Sequence, residues 1–435
     1  MLFKSIKGVH LDGKKEMSIK NEIVPFLNPK FVYFPTVSGT VVYKSLVSVG
    51  DKVLKGQPIL QRNDRFGHPV CSSVSGEVSA IKKMWHPIGR MVEMLEIKND
   101  FEETAVEAIG QGLVELTKEK IVERVMKAGI VGHGGAGMPT YVKYQPVANQ
   151  ELLIVDAAEC EPYITSDHML IKTDVEELIR GIKYVLTAIG AKEAKICVKK
   201  TKKELIEVLE AACKEEGNIS VFLVNDVYPA GWERYLVEKV TKQTYKALPT
   251  EIGVIVNNVQ TVISVCQAVE QNMPLIEKVV TFSGEGLKNP CNVKVKIGTK
   301  ASDVIDAIGG YVDGLGESYF IAGGPMTGKS IMFDEVVITA NLNSVVIKVK
   351  AEAPAFPCIG CGKCAEACPV FLTPTEIKGA HEAGDNDALN ALNASACIQC
   401  GLCSYVCPSR VEITEAVGKA KEAVLKANAL KNARK

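Results

Sequence analysis

The sequence predicts a multidomain α/β protein that ends in a small helical, cysteine-rich domain. Short Val-rich runs broken by Gly, Ser and Pro fill residues 31–98 and return in residues 273–350, which is typical of β-rich domains. Between them, residues 99–272 alternate helical and strand patterns, as an α/β domain does. Eight of the 14 cysteines lie between residues 358 and 407. These three observations define the predicted order of domains.

The composition excludes some classes of function. The 435-residue chain is 47% hydrophobic and 23% charged, and 51 Lys and Arg balance 51 Asp and Glu. A nucleic-acid-binding protein is usually basic, so we expect no nucleic-acid partner. Apolar runs fall short of the roughly 20 residues that a membrane helix needs, and residues 1–20 lack the apolar core of a signal peptide. We therefore expect a soluble, cytoplasmic protein.

The first β-rich domain contains an internal repeat. Residues 1–30 show no periodicity and predict an extended amino-terminal segment. After them, VSGTV at residues 37–41 is echoed by VSGEV at residues 74–78, and this resembles the barrel-sandwich hybrid of biotinyl and lipoyl carrier domains. A carrier needs a lysine on the hairpin between the halves, but residues 61–67 are QRNDRFG. We therefore predict a docking or structural role for residues 31–98.

The α/β domain is predicted from its elements in order. KEKIVERVMKAG is an amphipathic helix that ends at Gly129, ELLIVDAA is a buried strand, and DVEELIRGIKYVLTAIG is a helix closed by Gly190. The strands AKICVKK and NISVFLVN flank the helix KKELIEVLEAACKEEG. This alternation predicts a Rossmann-like domain over residues 99–272. Residues 273–350 then place short strands around one helix, which predicts a β-grasp-like domain.

The last two segments are helical. Residues 351–412 carry the cysteines between short helical patterns, and residues 413–435 predict a helix with a basic end. That end could contact an acidic partner or an anionic membrane surface. We favour a solvated helix end, because the pattern shows no continuous apolar face beside the charge.

The cysteine spacing predicts two iron-sulfur clusters. C-x2-C-x2-C-x3-C-P occurs twice, and in two-cluster ferredoxins the fourth cysteine of each run binds the other cluster. That rule assigns one [4Fe-4S] cluster to Cys358, Cys361, Cys364 and Cys407 and the other to Cys397, Cys400, Cys403 and Cys368. Zinc uses four ligands in tetrahedral geometry and leaves the doubled run unexplained. Two neighbouring clusters form an electron relay.

Two glycine-rich stretches are weaker signals. GHGGAG at residues 132–137 can lie against a phosphate or an aromatic ring, but it follows a helix instead of a strand, so alone it is equally a turn. GGPMTGKS at residues 323–330 matches the phosphate-binding P-loop pattern. A P-loop must begin a helix, whereas a strand pattern, VVITA, follows here after five residues. We interpret this second match as accidental.

Taken in order, a series of motifs resembles a known family. The series is GHGGAGMPT (132–140), VDAAECEP (155–162), YPAGWE (228–233), VNNVQT (256–261), VTFSGEGLKNPCNVKVKIGT (280–299) and both cysteine runs. It resembles the C subunit of the Rnf electron-transport complex and, more distantly, the flavin-binding subunit of respiratory complex I. The resemblance implies that residues 273–350 form an SLBB domain and that residues 99–272 bind flavin mononucleotide (FMN), which exchanges hydride with NADH.

The resemblance also implies site residues. Those expected at the flavin and its phosphate are Gly132, Gly134, Gly135, Gly137, Lys143, Asn257, Asn258 and Thr261. Those expected at the flavin or the nicotinamide ribose are Asp156, Glu159, Glu161, Tyr228, Gly231 and Glu233, with Glu161 and Glu233 in catalytic roles. Asp156 stands where relatives usually carry Asn. This and other differences from the family pattern favour a divergent paralogue.

The resemblance implies partners as well. The clusters would pass single electrons to another redox subunit, or receive them, and the protein could associate peripherally with a membrane complex. Two alternatives stay open. One is a soluble paralogue that feeds a reductase such as D-proline reductase. The other is a non-catalytic iron-sulfur adaptor with a degenerate flavin site.

Overall fold

The computed structural model describes residues 6–135, 137–145, 150–350 and 354–433. They form two compact units. The larger unit comprises Gly13–Asp226 and Gly231–Lys350. The smaller unit comprises the residues up to Asp12, Val227–Ala230, and the chain after Lys350. The three predicted domains between residues 31 and 350 therefore share one unit.

The amino-terminal half of the larger unit is a β structure. Its strands are β1 (Val24–Phe26), β2 (Phe31–Pro35), β3 (Val37–Ser38), β4 (Val41–Ser45), β5 (Lys52–Val53), β6 (Pro58–Arg62), β7 (Pro69–Cys71), β8 (Gly76–His86) and β9 (Arg90–Asn99). Two four-stranded sheets result, in the orders β2-β9-β8-β5 and β3-β4-β6-β7. The predicted barrel-sandwich hybrid corresponds to these two sheets. β1 lies outside them and pairs in parallel with a later strand, a pairing that the sequence pattern did not reveal.

The α/β part follows. Its helices are α1 (Lys118–Lys127), α2 (Thr140–Tyr144), α3 (Ser166–Thr173), α4 (Val175–Ile189), α5 (Lys203–Cys213), α6 (Glu233–Thr241) and α7 (Val259–Gln271). Its strands are β10 (Leu152–Asp156), β11 (Glu193–Lys199), β12 (Ile219–Val224) and β13 (Val254–Asn258), all parallel. Every helix and strand predicted here is present, and Gly190 closes α4 in the left-handed conformation, with φ 68°. The short helices α2, α3 and α6, together with β13 and α7, were not predicted as individual elements.

A six-stranded mixed sheet completes the larger unit. It contains β14 (Glu277–Ser283), β15 (Cys291–Lys296), β16 (Ser318–Ala322), β17 (Lys329–Ile331) and β18 (Ser344–Val349), with α8 (Ala301–Ala307) beside it. The order is β1-β15-β14-β18-β16-β17. One apolar core joins the barrel-sandwich hybrid to the α/β part, and Leu153, Ile196 and Ile255 of the parallel strands lie within it. The mixed sheet has a separate core around Phe282 and Val345.

The smaller unit is helical. It contains α9 (Lys363–Glu366), α10 (Pro374–Glu382), α11 (Asn386–Ala391), α12 (Leu402–Tyr405) and α13 (Ile413–Ala433). Ile413, Val417, Ala420 and Val424 follow helical spacing along α13, and all four are buried in the core of this unit. The expectation of a carboxyl-terminal helix without an apolar face was therefore wrong. Among the described residues, no helix is long and apolar enough to cross a membrane.

Candidate functional site

The carboxyl ends of the strands in the parallel sheet provide a place for a ligand. The strand order is β12-β11-β10-β13. The chain therefore adds β11 and β12 on one side of β10 and then returns to add β13 on the other side. Crossover helices therefore diverge between β10 and β13, and such a switch point leaves a crevice at the carboxyl ends of the strands. Asp156 and Asn258 are paired neighbours at those ends. Both residues belong to the set that the sequence predicted.

A cavity of about 360 Å³ occupies this crevice. Its volume falls in the range of about 300–1,000 Å³ that is common for cofactor sites. Of the predicted residues, it is lined by Gly134, Gly135, Asp156, Glu159, Glu161, Gly231 and Asn258. The structure adds residues that the sequence did not predict, including Asp167, Lys329, Asn341, Asn343 and the hairpin tip His86–Ile88.

The carboxylates in this cavity are strongly perturbed. Burial is the largest cause that raises the pKa of Asp156 to about 7, and the nearby charges of Glu159 and Glu233 contribute to the same shift. Burial likewise raises the pKa of Asp167 well above its usual value and raises the pKa of Glu161. Perturbed carboxyl groups that share a cleft are typical of functional sites. The cavity therefore has the electrostatic character of a binding site.

Glu159 is held by a lysine from the amino-terminal segment. The Lys15 ammonium lies 3.3 Å from Glu159 Oε2 and donates to the backbone oxygens of Glu161 and Ile164. The Asp167 N–H donates to Glu159 Oε1 at 2.8 Å. Both carboxylate oxygens therefore have partners, and the side chains of Lys15 and Glu159 are only 10% and 9% exposed. The buried negative charge is compensated within the chain.

Glu161 is held by the loop of the β16–β17 hairpin. The Met326 N–H donates to Glu161 Oε2 at 3.1 Å, and the Thr327 hydroxyl donates to Oε1. A Cβ on Gly324 would lie 2.2 Å from Glu161 Oε2, so a larger residue there would displace the Glu161 carboxylate from this position. This loop is the P-loop-like stretch, and β17 follows it directly at Lys329. The absence of a following helix agrees with the interpretation that the match is accidental.

The glycine-rich loop lies beside the start of α7. A Cβ on Gly134 would be 3.9 Å from the Cβ of Asn258, and one on Gly135 would meet open space. The His133 N–H donates to Thr261 Oγ1 at 3.1 Å, which ties the loop to α7. Asn258 accepts from the Gln260 N–H and caps α7. Open glycines and a capped helix start, whose N–H groups point toward the loop, suit an anionic phosphate.

The remaining predicted residues are distributed around the cavity. Asn257 donates to the Tyr144 hydroxyl, and its Oδ1 is buried without a partner among the described residues. The Gly132 N–H donates to the Met138 oxygen and closes the base of the glycine loop. Gly137 lines a neighbouring cavity of about 160 Å³. Ala136, next to it, lies outside the described residues.

Seven predicted residues do not line the 360 Å³ cavity: Gly132, Gly137, Asn257 and Thr261, described above, and Lys143, Tyr228 and Glu233. Lys143 and Glu233 form an ion pair at 3.4 Å, and the Tyr245 hydroxyl donates to the other oxygen of Glu233. The Tyr228 hydroxyl donates at 2.8 Å to the backbone oxygen of Cys400, within the smaller unit. The structure thus associates Tyr228 with a cysteine run, where the resemblance implied the flavin.

The residues present fit FMN. Gly134 and Gly135 leave room beside the helix start, and Asn258 stands at the same point. Asp167, in the wall of the cavity, has a buried Oδ1 without a protein partner in the described chain. Buried polar atoms are normally satisfied, so a polar ligand in the cavity explains it.

In the smaller unit, cysteines from both runs lie close together. A cavity of about 90 Å³ is lined by Cys358, Cys361, Cys364 and Cys407. Cys368 interacts electrostatically with each cysteine of the second set, Cys397, Cys400 and Cys403. Four cysteines that line one cavity suit the thiolate ligation of an iron-sulfur cluster.

The two cysteine runs have matching N–H···S contacts. The first cysteine of each run accepts from the backbone N–H two residues on, at 3.5 Å for Cys358 and 3.3 Å for Cys397. The last cysteine accepts from the N–H four residues on, at 3.3 Å for Cys368 and 3.4 Å for Cys407. These N–H groups can stabilise sulfurs that carry negative charge on a cluster. The residues present therefore fit two [4Fe-4S] clusters.

Family models match four consecutive parts of the chain. The RnfC barrel sandwich hybrid domain matches residues 3–102, and the Nuo51 FMN-binding domain matches residues 125–267. The SLBB domain matches residues 279–330, and the 4Fe-4S dicluster domain matches residues 354–427. These matches confirm the predicted fold class, FMN and the iron-sulfur clusters. The predicted domain boundaries remain predictions.

Relatives match across most of the chain. The chain is 31% identical over 381 residues to the C subunit of the Na⁺-translocating ferredoxin:NAD⁺ oxidoreductase complex of Acetobacterium woodii, covering 85% of each protein. It is 33% identical over 394 residues to the C subunit of the ion-translocating oxidoreductase complex of Rhodobacter capsulatus, covering 87% of this chain and 75% of the relative. The chain belongs to the RnfC family. It is therefore an electron-transfer flavo-iron-sulfur protein.

A solved structure supports the fold of this RnfC-family chain. The NAD⁺-reducing [NiFe]-hydrogenase in its H₂-reduced state aligns with a TM-score of 0.51 at 20% identity, over 70% of this chain and 60% of that chain. At this identity the likeness concerns the fold alone.

Three contributors to the RnfC cavity were missed by sequence reasoning. Lys15 lies in a segment without periodicity, His86 in a domain interpreted as structural, and Gly324 in a stretch dismissed as accidental. A glycine-rich loop between strands was a usable signal for the third. The first two carried none, because their roles depend on contacts far apart in sequence.

Proposed function

We propose that this protein transfers electrons between NADH and a protein partner through FMN and two [4Fe-4S] clusters. The observation that carries the proposal is the carboxylate-lined cavity at the switch point, beside the glycine-rich loop. The Acetobacterium relative is named as part of a complex that acts on ferredoxin and NAD⁺, which supports NADH as donor or product. The relatives are named as subunits of oxidoreductase complexes, which supports other redox subunits as partners. We propose in addition that the protein associates peripherally with a membrane complex on its cytoplasmic side.

The chain's own residues have separate roles in this proposal. When bound, FMN supplies the exchange between two-electron hydride transfer and single-electron transfer. Gly134 and Gly135 let the backbone approach the phosphate, and Asn258 with the start of α7 binds it. Glu159, kept in place by Lys15, accepts hydrogen bonds from ribose hydroxyls. Lys143 and Glu233 position each other beside the sheet edge.

Asp156 acts as a hydrogen-bond donor in this proposal. With its pKa raised to about 7, a large share of this carboxyl group is protonated at neutral pH. A protonated carboxyl has an O–H to donate, as the amide of the Asn that the family resemblance implies at this position has an N–H. The substitution at this position is therefore compatible with flavin binding.

The crossed assignment of cysteines is part of the proposal. One cluster takes Cys358, Cys361, Cys364 and Cys407, and the other takes Cys397, Cys400, Cys403 and Cys368. The 90 Å³ cavity supports the first set. Each cluster carries one electron at a time, so the pair forms a short relay toward the partner.

A Glu159→Gln variant tests the NADH site. Loss of a charged acceptor should lower kcat/KM for NADH-driven dye reduction about tenfold or more, because such hydrogen bonds contribute roughly 1.5–3 kcal/mol. The matched control is Glu210→Gln, an exposed residue of α5, which should match the wild type. FMN content and the cluster signals in electron paramagnetic resonance (EPR) spectra report whether either variant has lost its cofactors.

The outcomes separate the alternatives. Unchanged NADH kinetics in Glu159→Gln with full cofactor content contradicts the assignment of the site. A wild-type protein that contains iron but takes up no FMN, even after incubation with it, favours the adaptor.

A further inference from the structure

The barrel-sandwich hybrid extends a hairpin to the FMN cavity. β8 and β9 are its longest strands, and the turn between them carries Pro87, Ile88 and Gly89. His86, Pro87 and Ile88 line the 360 Å³ cavity together with Asn258 and Glu161 of the α/β part. This domain has no carrier lysine at residues 61–67, so its place beside the cavity calls for another role.

The hairpin tip is fixed by the mixed sheet. The Val337 N–H donates to the Trp85 oxygen at 2.9 Å, and Trp85 forms a parallel bridge with Val336. The rings of Trp85 and Phe333 lie 6.1 Å apart. The neighbouring His86 is therefore held in one place, with 2% of its surface exposed.

The hydrogen bonding of His86 determines which ring nitrogen carries the proton. The Ile88 N–H donates to Nδ1 at 3.2 Å, so Nδ1 is an acceptor. Burial and the charge of Arg90 lower the pKa of His86 to about 4, so the ring is neutral at neutral pH. The proton of a neutral ring then lies on Nε2, which becomes a donor. Nothing in residues 6–135, 137–145, 150–350 and 354–433 accepts a hydrogen bond from it.

Nε2 of His86 is not one of the fully buried polar atoms that lack a partner in the described residues, so water can reach it, and an acceptor atom of a ligand in the cavity can take the place of that water. His86 and Asn341 also line the neighbouring 160 Å³ cavity, so the imidazole forms part of the wall between the two. The ligand that the larger cavity is built for, FMN, is rich in acceptor oxygens on its phosphate and ring carbonyls.

We propose that His86 binds the cofactor, with Nε2–H donating to an oxygen atom of FMN. The inference rests on the proposed function, since it requires FMN in this cavity. It gives the barrel-sandwich hybrid a direct part in the flavin site. The histidine acts there as a rigid, uncharged donor.

Two substitutions separate this donor role from a purely structural one. In His86→Gln, the amide nitrogen can take the place of Nε2, but the contact with the Ile88 N–H is lost. In His86→Asn, the shorter side chain can accept from the Ile88 N–H, but it does not reach the place of Nε2. Lys83→Ala, an exposed position on the same hairpin, is the control.

The measurement is the dissociation constant of FMN for the full-length protein, followed by flavin fluorescence under anaerobic conditions. We expect His86→Ala and His86→Asn to bind FMN about three- to tenfold more weakly than the wild type, the size of one neutral hydrogen bond. His86→Gln should stay closer to the wild type, and Lys83→Ala should match it.

Two results overturn the inference. One is equal FMN affinity in His86→Ala and the wild type. The other is retention of affinity in His86→Asn with loss in His86→Gln, which assigns His86 to the structure of the hairpin. A wild-type protein that binds no FMN overturns the proposed function itself, and this result is distinguishable from both.

Discussion

The carboxylate cavity and the cysteine sites compensate charge in different ways. In the cavity, the chain supplies the partners: Lys15 for Glu159, the Met326 N–H for Glu161, and the Asn258 amide for Asp167. In the smaller unit, Cys358 and Cys361 are exposed, and residues 354–362 form neither helix nor strand. We therefore expect that the flavin site is formed by the protein itself, whereas the cluster sites depend on iron for their shape.

The cores of the two units agree with this comparison. The core shared by the barrel-sandwich hybrid and the α/β part is extensive. The core of the smaller unit contains far fewer residues, and two of its buried members, Cys364 and Cys368, are themselves predicted ligands. Small domains with limited cores commonly require metal for folding.

The largest expected effect is that of iron removal. Chelation under anaerobic conditions should abolish protection from hydrogen exchange in residues 354–433, because the cluster ligands no longer hold the loops together. The larger unit, Gly13–Asp226 with Gly231–Lys350, should keep its protection. Hydrogen exchange followed by mass spectrometry measures both regions in one sample.

Removal of FMN is the matched control for this comparison. Exchange should then rise only at residues that line the 360 Å³ cavity, since the sheet edge is formed without the cofactor. If FMN removal unfolds the larger unit while iron removal leaves the smaller unit protected from exchange, the two sites depend on their cofactors in the opposite way to the one expected here.

The next effect is the loss of one cluster. Cys407→Ser should deplete the cluster held by Cys358, Cys361 and Cys364 and leave the second, because Cys407 lines their cavity. Iron content should fall by half, and anomalous diffraction at the iron edge should locate the remaining cluster. Cys213→Ser, a buried cysteine far from both runs in sequence, is the control. Loss confined to the Cys397 set would show that each run binds its own cluster.

A smaller effect concerns the pH dependence of stability. The pKa of Asp156 is about 7 in the folded protein and about 3.9 in an unfolded chain. Between these values the folded state holds a proton that the unfolded state has lost, so the free energy of unfolding falls as pH rises from 4 to 7. The Asp156→Asn variant cannot ionise at this position. In FMN-free protein, its free energy of unfolding relative to that of the wild type should rise by about 2–4 kcal/mol between pH 5 and pH 8.

Thermal unfolding midpoints at the two pH values measure this gain. Glu210→Gln, at an exposed position, should show none. If the midpoints of Asp156→Asn and the wild type differ by the same amount at pH 5 and at pH 8, the chain compensates the charge of Asp156 completely.

The cysteine sites could be predicted from sequence more fully than the flavin cavity. A C-x2-C-x2-C-x3-C run brings its ligands together by local spacing, and the grouping of Cys407 with the first run follows from a general rule. The flavin cavity collects Lys15, His86, Glu161 and Asn258 from four separate elements. Asn258 was predicted because it belongs to a motif. Lys15 and His86 were not, because tertiary packing alone places them.

The measurement that tests the central claim most directly follows electrons through the intact protein under anaerobic conditions. NADH is added to oxidised protein, and NAD⁺ is added to chemically reduced protein, while flavin absorbance and cluster EPR signals are recorded. We predict transfer between the nicotinamide and the clusters in at least one direction when FMN is bound, and in neither direction after FMN is removed. Protein with full FMN and both clusters that exchanges no electrons with NADH or NAD⁺ in either direction would contradict the account.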